Sequence, residues 1–278
     1  MSRRTAFVLG GGGLLGAVEV GMVRALLERE ITPDLVLGTS VGALNGLVVA
    51  SDPTPAVVDR LLEMWGSVAQ DDMVYADGRW RQVRRAVKYG THLHSPKPLR
   101  ERLEQEFGDT RFEDLAVEFQ CCAASIERAA EHWFCEGPVV SAVLASAAVP
   151  GLLPPAQVEG EHYLDGGIVN SIPVGRAVEL GADRIFVLQV GRVDRPLKPP
   201  RRPWEVARVS FEIARRHRFV REIAALPDGV EAHVLPAGGT SADDSPTAYR
   251  DTSLVNDRIE RAYRQSVAYL DEHLDGSG

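Results

Sequence analysis

Ser40 stands in Gly38-Thr39-Ser40-Val41-Gly42, a G-x-S-x-G spacing. The spacing has chemical force only between a strand and a helix. A sharp turn there strains the serine backbone, needs glycine two residues to either side and lifts the hydroxyl above the sheet. The Val41 N–H then faces the same space, backed by the positive end of a helix dipole. A serine so placed can attack an acyl carbonyl. The plainer alternative is a tight turn with Ser40 as helix N-cap.

A hydroxyl nucleophile needs a base. His92, His94, His132, His162, His217, His233 and His273 lie in no catalytic motif. The candidate is Asp165 in Tyr163-Leu164-Asp165-Gly166-Gly167, where a strand-like segment runs into Gly166 and Gly167. Glycines there allow a neighbouring strand to come close, although Asp-Gly is also an ordinary turn. Free aspartate, with a pKa near ~3.9, is a weak base in water. Burial raises that value. The sequence therefore predicts an Asp165 screened from solvent and within hydrogen-bond reach of Ser40.

Attack on an ester leaves a negative oxygen, which two N–H donors can stabilise by several kcal/mol (about 3–4 for one donor). Gly10 to Gly13, followed by Leu14-Leu15-Gly16, can supply them at the end of a first strand. The N–H groups of Gly11, Gly12, Gly13 and Leu14, with that of Val41, are the expected oxyanion hole. Gly11-x-Gly13-x-x-Gly16 also fits a dinucleotide fingerprint. That reading needs an acid at the end of the second strand, whereas Asp34 lies at its start.

The elements that must position these groups can be read in order. Thr5–Leu9 and Asp34–Thr39 are apolar runs of buried-strand type. Leu14–Arg29 and Val41–Ala50 read as helices, the first with Val18, Met22, Ala25 and Leu26 on one face. Strand and helix alternating so closely imply a parallel sheet covered by helices. Beyond Pro53 and Pro55, a helix is expected with Val57, Leu61, Leu62, Met64 and Trp65 as its stripe. Two more helices are expected within 79–107, strands at 117–125, 132–135, 162–165 and 184–190, and short helices at 139–149 and 174–180. Pro196–Pro203 reads as a linker, 204–226 as a helix, 230–235 as a strand and Gly238–Pro246 as a loop. Ser253 can cap a final helix with Val255, Ile259, Tyr263, Val267, Leu270 and Leu274 inward.

Bulk properties narrow the function. A net charge of −8 and a hydrophobic share of 45% predict a soluble globular chain with no nucleic-acid partner. Cys121, Cys122 and Cys135 form no disulfide framework and no zinc-ligand spacing. No structural metal and a reducing, cytoplasmic setting are expected. Ser2-Arg3-Arg4 could open a signal sequence, but the glycines from Gly10 interrupt its apolar part. No run reaches the roughly 20 apolar residues of a membrane span, so any membrane contact is expected to be peripheral.

Taken together and in chain order, Gly11–Gly16, Gly38–Gly42 and Asp165–Gly167 resemble the patatin-like phospholipase family. The family pattern is a G-G-G-x-x-G loop, a G-x-S-x-G elbow and a D-G-G/A turn. Ala145–Gly151 resembles its small-residue helix ending in Pro-Gly, and Asp165–Pro173 its D-G-G-x-x-x-x-x-P continuation. The likeness covers about residues 5–192. It implies a three-layer α/β/α sandwich with a mainly parallel sheet, and a Ser–Asp dyad with no metal or cofactor. It also implies release of fatty acid from phospholipid, lysophospholipid or neutral lipid esters through an acyl-serine intermediate. Members commonly carry Lys or Arg where this chain has Leu15, which makes a neutral ester an alternative to an anionic head group. Another reading is a non-catalytic lipid-binding or regulatory protein with the same fold. Residues 1–192 are expected to form the catalytic domain, with 193–278 an extension packed on it.

Two basic stretches remain. One carries Arg79, Arg81, Arg84, Arg85 and Lys88 around Trp80. The other carries Arg201, Arg202, Arg208, Arg215, Arg216, Arg218 and Arg221 around Trp204, Phe211 and Phe219. They read as solvated helix faces paired with Glu205, Glu212 and Glu222, or as a docking surface for anionic lipid. The segment 53–107 reads as a wall over the acyl site or a packed helical layer. Cys121 and Cys122 read as core.

Overall fold

The computed structural model describes residues 3–71, 94–190, 196–197, 199–200, 203–239 and 254–274. The first basic stretch, His92 and Ser253 lie outside them, as do Arg201 and Arg202.

Strand β1 (Thr5–Leu9) is buried along its whole length and sits between β2 (Leu35–Thr39) and β7 (Arg184–Leu188), parallel to both. Beyond β2 lies β3 (Glu118–Ser125), and beyond β7 lies β8 (Glu231–Val234), both parallel again. The other side of the sheet is antiparallel. There β4 (Ala130–Phe134), β5 (Ala156–Val158) and β6 (Glu161–Asp165) complete the order β5-β6-β3-β2-β1-β7-β8, with β4 paired to β3.

Alternate residues of the central strands serve two apolar layers, as the pleat requires. Phe7, Leu9 and Val36 face one layer, and Ala6, Val8, Leu35 and Leu37 the other. Helices α1 (Ala17–Leu27), α2 (Val41–Ser51), α3 (Val57–Asp71), α4 (Lys97–Phe107), α5 (Val139–Ser146) and α8 (Val255–His273) supply the first layer. Helices α6 (Val174–Glu179) and α7 (Pro203–Ala224) cover the second. The architecture is a three-layer α/β/α sandwich, and its sheet is mainly parallel.

Several expectations shift in detail. The helix expected from Leu14 begins as a 3-10 turn at Gly13–Gly16 and becomes α-helical at Ala17. Helix α1 is buried almost all round, because α8 covers the side turned away from the sheet. In α3, Leu62 is 37% exposed, and Val58 takes its place beside Val57, Leu61 and Trp65. The short β5 follows Pro154-Pro155 and gives too little pattern to be read as a strand.

The α1–α8 contact depends on Gly21. A Cβ there would lie 2.2 Å from the Ile259 carbonyl oxygen and 2.7 Å from the Tyr263 nitrogen. Arg24 pairs with Glu260, Arg29 with Asp271, and the Tyr263 hydroxyl donates to Glu28 at 2.6 Å. Gly21→Val is expected to push the two backbones apart and lose about 1–3 kcal/mol in denaturant unfolding. An unchanged midpoint would show that α8 does not depend on this contact.

Candidate active site

β3 brings the candidate residues together by register. Its residues 118–122 pair with β2, ending at Thr39 opposite Cys122. Its residues 123–125 pair with β6, where Asp165 stands opposite Ala123. β4 pairs with 121–125 and so takes the other edge. Strands β2 and β6 therefore share one edge of β3 and run head-on into each other. The residue after β2 is Ser40, and the last residue of β6 is Asp165.

The Ser40 hydroxyl donates to Asp165 Oδ2 at 2.5 Å, across 125 residues of chain. Both side chains are buried, 7% and 3% exposed respectively. Ser40 adopts φ 57° and ψ −122° at the turn into α2. For a residue with a Cβ this is a strained region, held only where surroundings impose it at about 1–3 kcal/mol. The glycines explain how. A Cβ at Gly38 would lie 2.4 Å from the Gly42 oxygen, and one at Gly42 2.3 Å from the Leu9 oxygen.

The strained turn is tied down by Ser146. Its hydroxyl accepts the Ser40 N–H at 2.9 Å and donates to the Cys122 carbonyl at 2.6 Å. Two residues later, the Ala148 carbonyl accepts the Asp165 N–H at 2.9 Å. The small-residue stretch after α5 thus fixes the backbone of both Ser40 and Asp165. The Thr39 hydroxyl adds a bond to the Asn170 carbonyl at 2.8 Å, joining the elbow to the turn after β6. The sequence marks Ala145–Gly151 only by its small residues, and nothing local shows that Ser146 reaches Ser40.

Asp165 accepts the Gly167 N–H on Oδ1 at 2.7 Å, leaving Oδ2 for Ser40. A Cβ at Gly166 would lie 2.1 Å from the Cys122 carbonyl oxygen, so glycine lets the turn close against β3. Burial raises the Asp165 carboxyl from 3.8 to about 6, opposed by the hydrogen bonds from Ser40 and Gly167. The acid remains ionised at neutral pH and is a better proton acceptor than a free aspartate.

The first loop lies against the serine. A Cβ on Gly11 would be 3.4 Å from Ser40 Cβ and 3.1 Å from Ser171 Oγ. The Gly11 N–H itself donates to the Ser171 carbonyl at 2.9 Å. That bond takes it out of the expected oxyanion set, because the loop is anchored there to the strand-end turn. Gly12, Gly13, Leu14 and Val41 remain. Val41 is the first residue of α2, a position whose N–H has no partner within the helix. Leu15 is buried in the core beside the loop and adds no charge.

The dinucleotide reading fails on geometry. The Asp34 carboxylate accepts the Thr5 N–H at 2.8 Å, at the opposite end of the strands from the glycine loop. Among the described residues no group of three or more His, Cys, Asp or Glu side chains could hold a metal ion. His94 is buried in the loop before α4, and His132 and His162 lie on β4 and β6, while the Ser40 hydroxyl donates to Asp165. On α7, Arg215 and Arg216 pair with Glu212, and Arg218 with Glu222 and Glu131. These arginines are largely neutralised within the protein. Helix α7 also presses Phe211 onto Gly167, where a Cβ would come within 2.6 Å of the ring.

Known proteins resemble this chain in two ways. A family model described as patatin-like phospholipase matches residues 7–178. Lysophospholipase nte1 of Aspergillus terreus is 33% identical over 192 residues, and Lysophospholipase NTE1 of Candida glabrata 33% over 188. The matches cover 69% and 67% of this chain but only 12% and 10% of those longer proteins. Among solved structures, VipD from Legionella pneumophila aligns with 98% of this chain and 67% of its own, at 16% identity and a TM-score of 0.47.

Two outcomes follow from the site's geometry. Ser146→Ala leaves the Ser40 N–H and the Cys122 carbonyl unpaired, and is expected to lower unfolding stability by about 1–3 kcal/mol. An unchanged stability would show that the elbow does not need this bond. Asp165 takes up its proton more readily folded than unfolded, so its ionisation weakens the fold as pH rises from about 4 to about 6. Asp165→Asn is therefore expected to be more stable than wild type at pH 7, with the difference shrinking towards pH 4. Equal stability of the two proteins at both pH values would contradict this assignment.

Proposed function

This chain belongs to the patatin-like phospholipase family, and from that premise we propose that it hydrolyses lipid carboxylic esters with Ser40 as nucleophile and Asp165 as base. The observation that carries the reading is the buried 2.5 Å hydrogen bond between the two side chains. The similarity to proteins named lysophospholipases supports a single-chain acyl ester as substrate.

The reaction follows from the atoms in place. Ser40 Oγ attacks the ester carbonyl while its proton moves to Asp165 Oδ2. Negative charge gathers on the former carbonyl oxygen, where N–H groups of Gly12, Gly13 or Leu14, with that of Val41, receive it. Collapse of the tetrahedral species breaks the C–O bond, and Asp165 returns the proton to the leaving alcohol. Water then attacks the acyl-serine, Asp165 accepting its proton and passing it to Ser40 Oγ as the acyl C–O bond breaks, which releases the fatty acid and restores the Ser40 hydroxyl. Acylation needs the oxygen base and the oxyanion site, and deacylation needs water besides.

A neutral lipid ester is favoured over an anionic head group by one observation. Leu15 is apolar and buried, so it brings no cation to the loop. Among the described residues no helix is long and apolar enough to cross a membrane. We place the encounter with substrate at a lipid surface or micelle, by peripheral contact. The thiols of Cys121, Cys122 and Cys135 are all free, which supports a reducing compartment such as the cytoplasm.

Ser40→Ala and Asp165→Asn are each expected to lower kcat on p-nitrophenyl acyl esters and on lysophosphatidylcholine by about 10³-fold or more. A fatty-acyl adduct on Ser40 should be detectable by mass spectrometry after rapid quenching. The wild-type kcat/KM should rise with pH through about 6 as Asp165 ionises. Rates equal in wild type and Ser40→Ala would leave the non-catalytic lipid-binding alternative.

A further inference from the structure

A chain of polar side chains runs through the apolar layer behind the first loop. Asn45 is fully buried on α2, little more than one turn beyond Ser40. Its amide nitrogen donates to the Gly16 carbonyl at 3.0 Å and to Glu19 Oε2 at 2.7 Å. Its amide oxygen accepts the Trp65 indole N–H at 3.0 Å. The orientation of that amide is fixed by chemistry, since an indole N–H only donates and a carbonyl only accepts. Glu19 is also fully buried, in the first turn of α1, and Trp65 is 4% exposed on α3.

These bonds join the pieces that carry the oxyanion donors. Gly16 closes the 3-10 turn that begins at Gly13, directly after Gly12. It is also pressed onto the elbow, for a Cβ at Gly16 would lie 2.4 Å from Val41 Cγ2. Asn45 therefore ties the helix that begins at Val41 to both the end of the glycine turn and the first turn of α1. Trp65 holds the amide from the far side.

Packing alone gives no reason for this network. Its surroundings are Leu, Val, Ala and Phe side chains of the main core layer. Apolar residues of similar volume would fill the same space without the cost of desolvating three polar groups. Glu19 Oε1 is buried without a hydrogen-bond partner of regular geometry. Burial pushes the Glu19 carboxyl well above the usual carboxylate range, with the bond from Asn45 and the nearby Gly10 backbone amide opposing.

We propose that Glu19, Asn45 and Trp65 are positioning residues, a clamp that sets the spacing between the glycine-loop donors and the Val41 donor of the oxyanion hole. The inference rests on the hydrolase reading and adds to it. None of the three touches the reacting atoms. Their effect is to keep two N–H groups, carried by different helices, converged on one point before charge develops there.

The test separates positioning from folding. The triple variant Glu19→Leu, Asn45→Leu, Trp65→Phe removes the network with little loss of volume, and Trp65→Phe alone removes one donor. Unfolding midpoints, kcat, KM and inhibition by a trifluoromethyl ketone analogue of the ester are measured together, because that inhibitor forms a charged adduct on the serine. The triple variant is expected to melt no lower than wild type. Its kcat should fall about tenfold or more, its KM should stay within about twofold, and the inhibitor should weaken in step with kcat. Trp65→Phe should show the same pattern at about threefold, which covers the case of a triple variant that does not fold. Glu19→Gln keeps an acceptor for Asn45 and should retain wild-type kcat. Full kcat and inhibitor affinity in a folded triple variant, or in Trp65→Phe if the triple does not fold, overturns the clamp. A wild type whose hydrolysis survives Ser40→Ala overturns the hydrolase reading instead, so the two failures are distinct.

Discussion

The hydrogen bond between Ser40 and Asp165 is short, buried and assembled from residues 125 positions apart. It needs a serine in a strained backbone conformation and a carboxylate withdrawn from water. Each is unfavourable on its own. The structure tolerates both because surrounding backbone leaves little alternative. Glycines let β1, β2 and α2 close on one another, and Ser146 supplies the partner that the serine's amide would otherwise lack. The same burial that makes an ionised Asp165 costly is what lifts its basicity towards the neutral range.

Around this pair, backbone and side-chain groups at the sheet's edge bond one another, although Asn170 Oδ1 and Ser171 Oγ are buried without a hydrogen-bond partner. Thr39 bonds the Asn170 carbonyl, Gly11 the Ser171 carbonyl, and Asp165 the Gly167 amide. The first loop, the elbow and the aspartate turn are therefore one hydrogen-bonded unit rather than separate loops meeting over a cleft. Helix α7 closes the unit from the other layer through Phe211 on Gly167 and Arg218 on the Val169 carbonyl. Three of its arginines, Arg215, Arg216 and Arg218, grouped in the sequence like a cationic face, are paired with Glu212, Glu222 and Glu131.

Much of this was legible from residues alone, for reasons that can be named. Ser40 lies in a motif whose glycines are demanded by local geometry, and the flanking strand and helix carry strong local patterns. Asp165 was legible because histidines near any motif were absent and a strand end ran into paired glycines. The parts that were not legible depend on distant chain. The anchoring of the Gly11 amide needs Ser171, 160 positions on by residue number. The role of Ser146 depends on Cys122 of β3, 24 positions away, and on Ser40, 106 positions away. The all-round burial of α1 follows from where α8 lands, which periodicity within either helix does not specify. Asn45 and Glu19 looked like ordinary helix residues, and only burial distinguishes them.

The shared edge of β3 has a bearing on how such a protein can change over evolutionary time. The serine and the aspartate are set by counting along one strand: Cys122 opposite Thr39, Ala123 opposite Asp165. No atom of that strand has a part in the proposed reaction, yet the strand acts as the ruler for the pair. Losing or gaining one residue within 118–125 would rotate the pleat and separate the pair, while added chain between α2 and α3 leaves the count untouched. Large insertions and diverging surface helices are thus compatible with an unchanged Ser40–Asp165 pair, provided this one eight-residue span keeps its length.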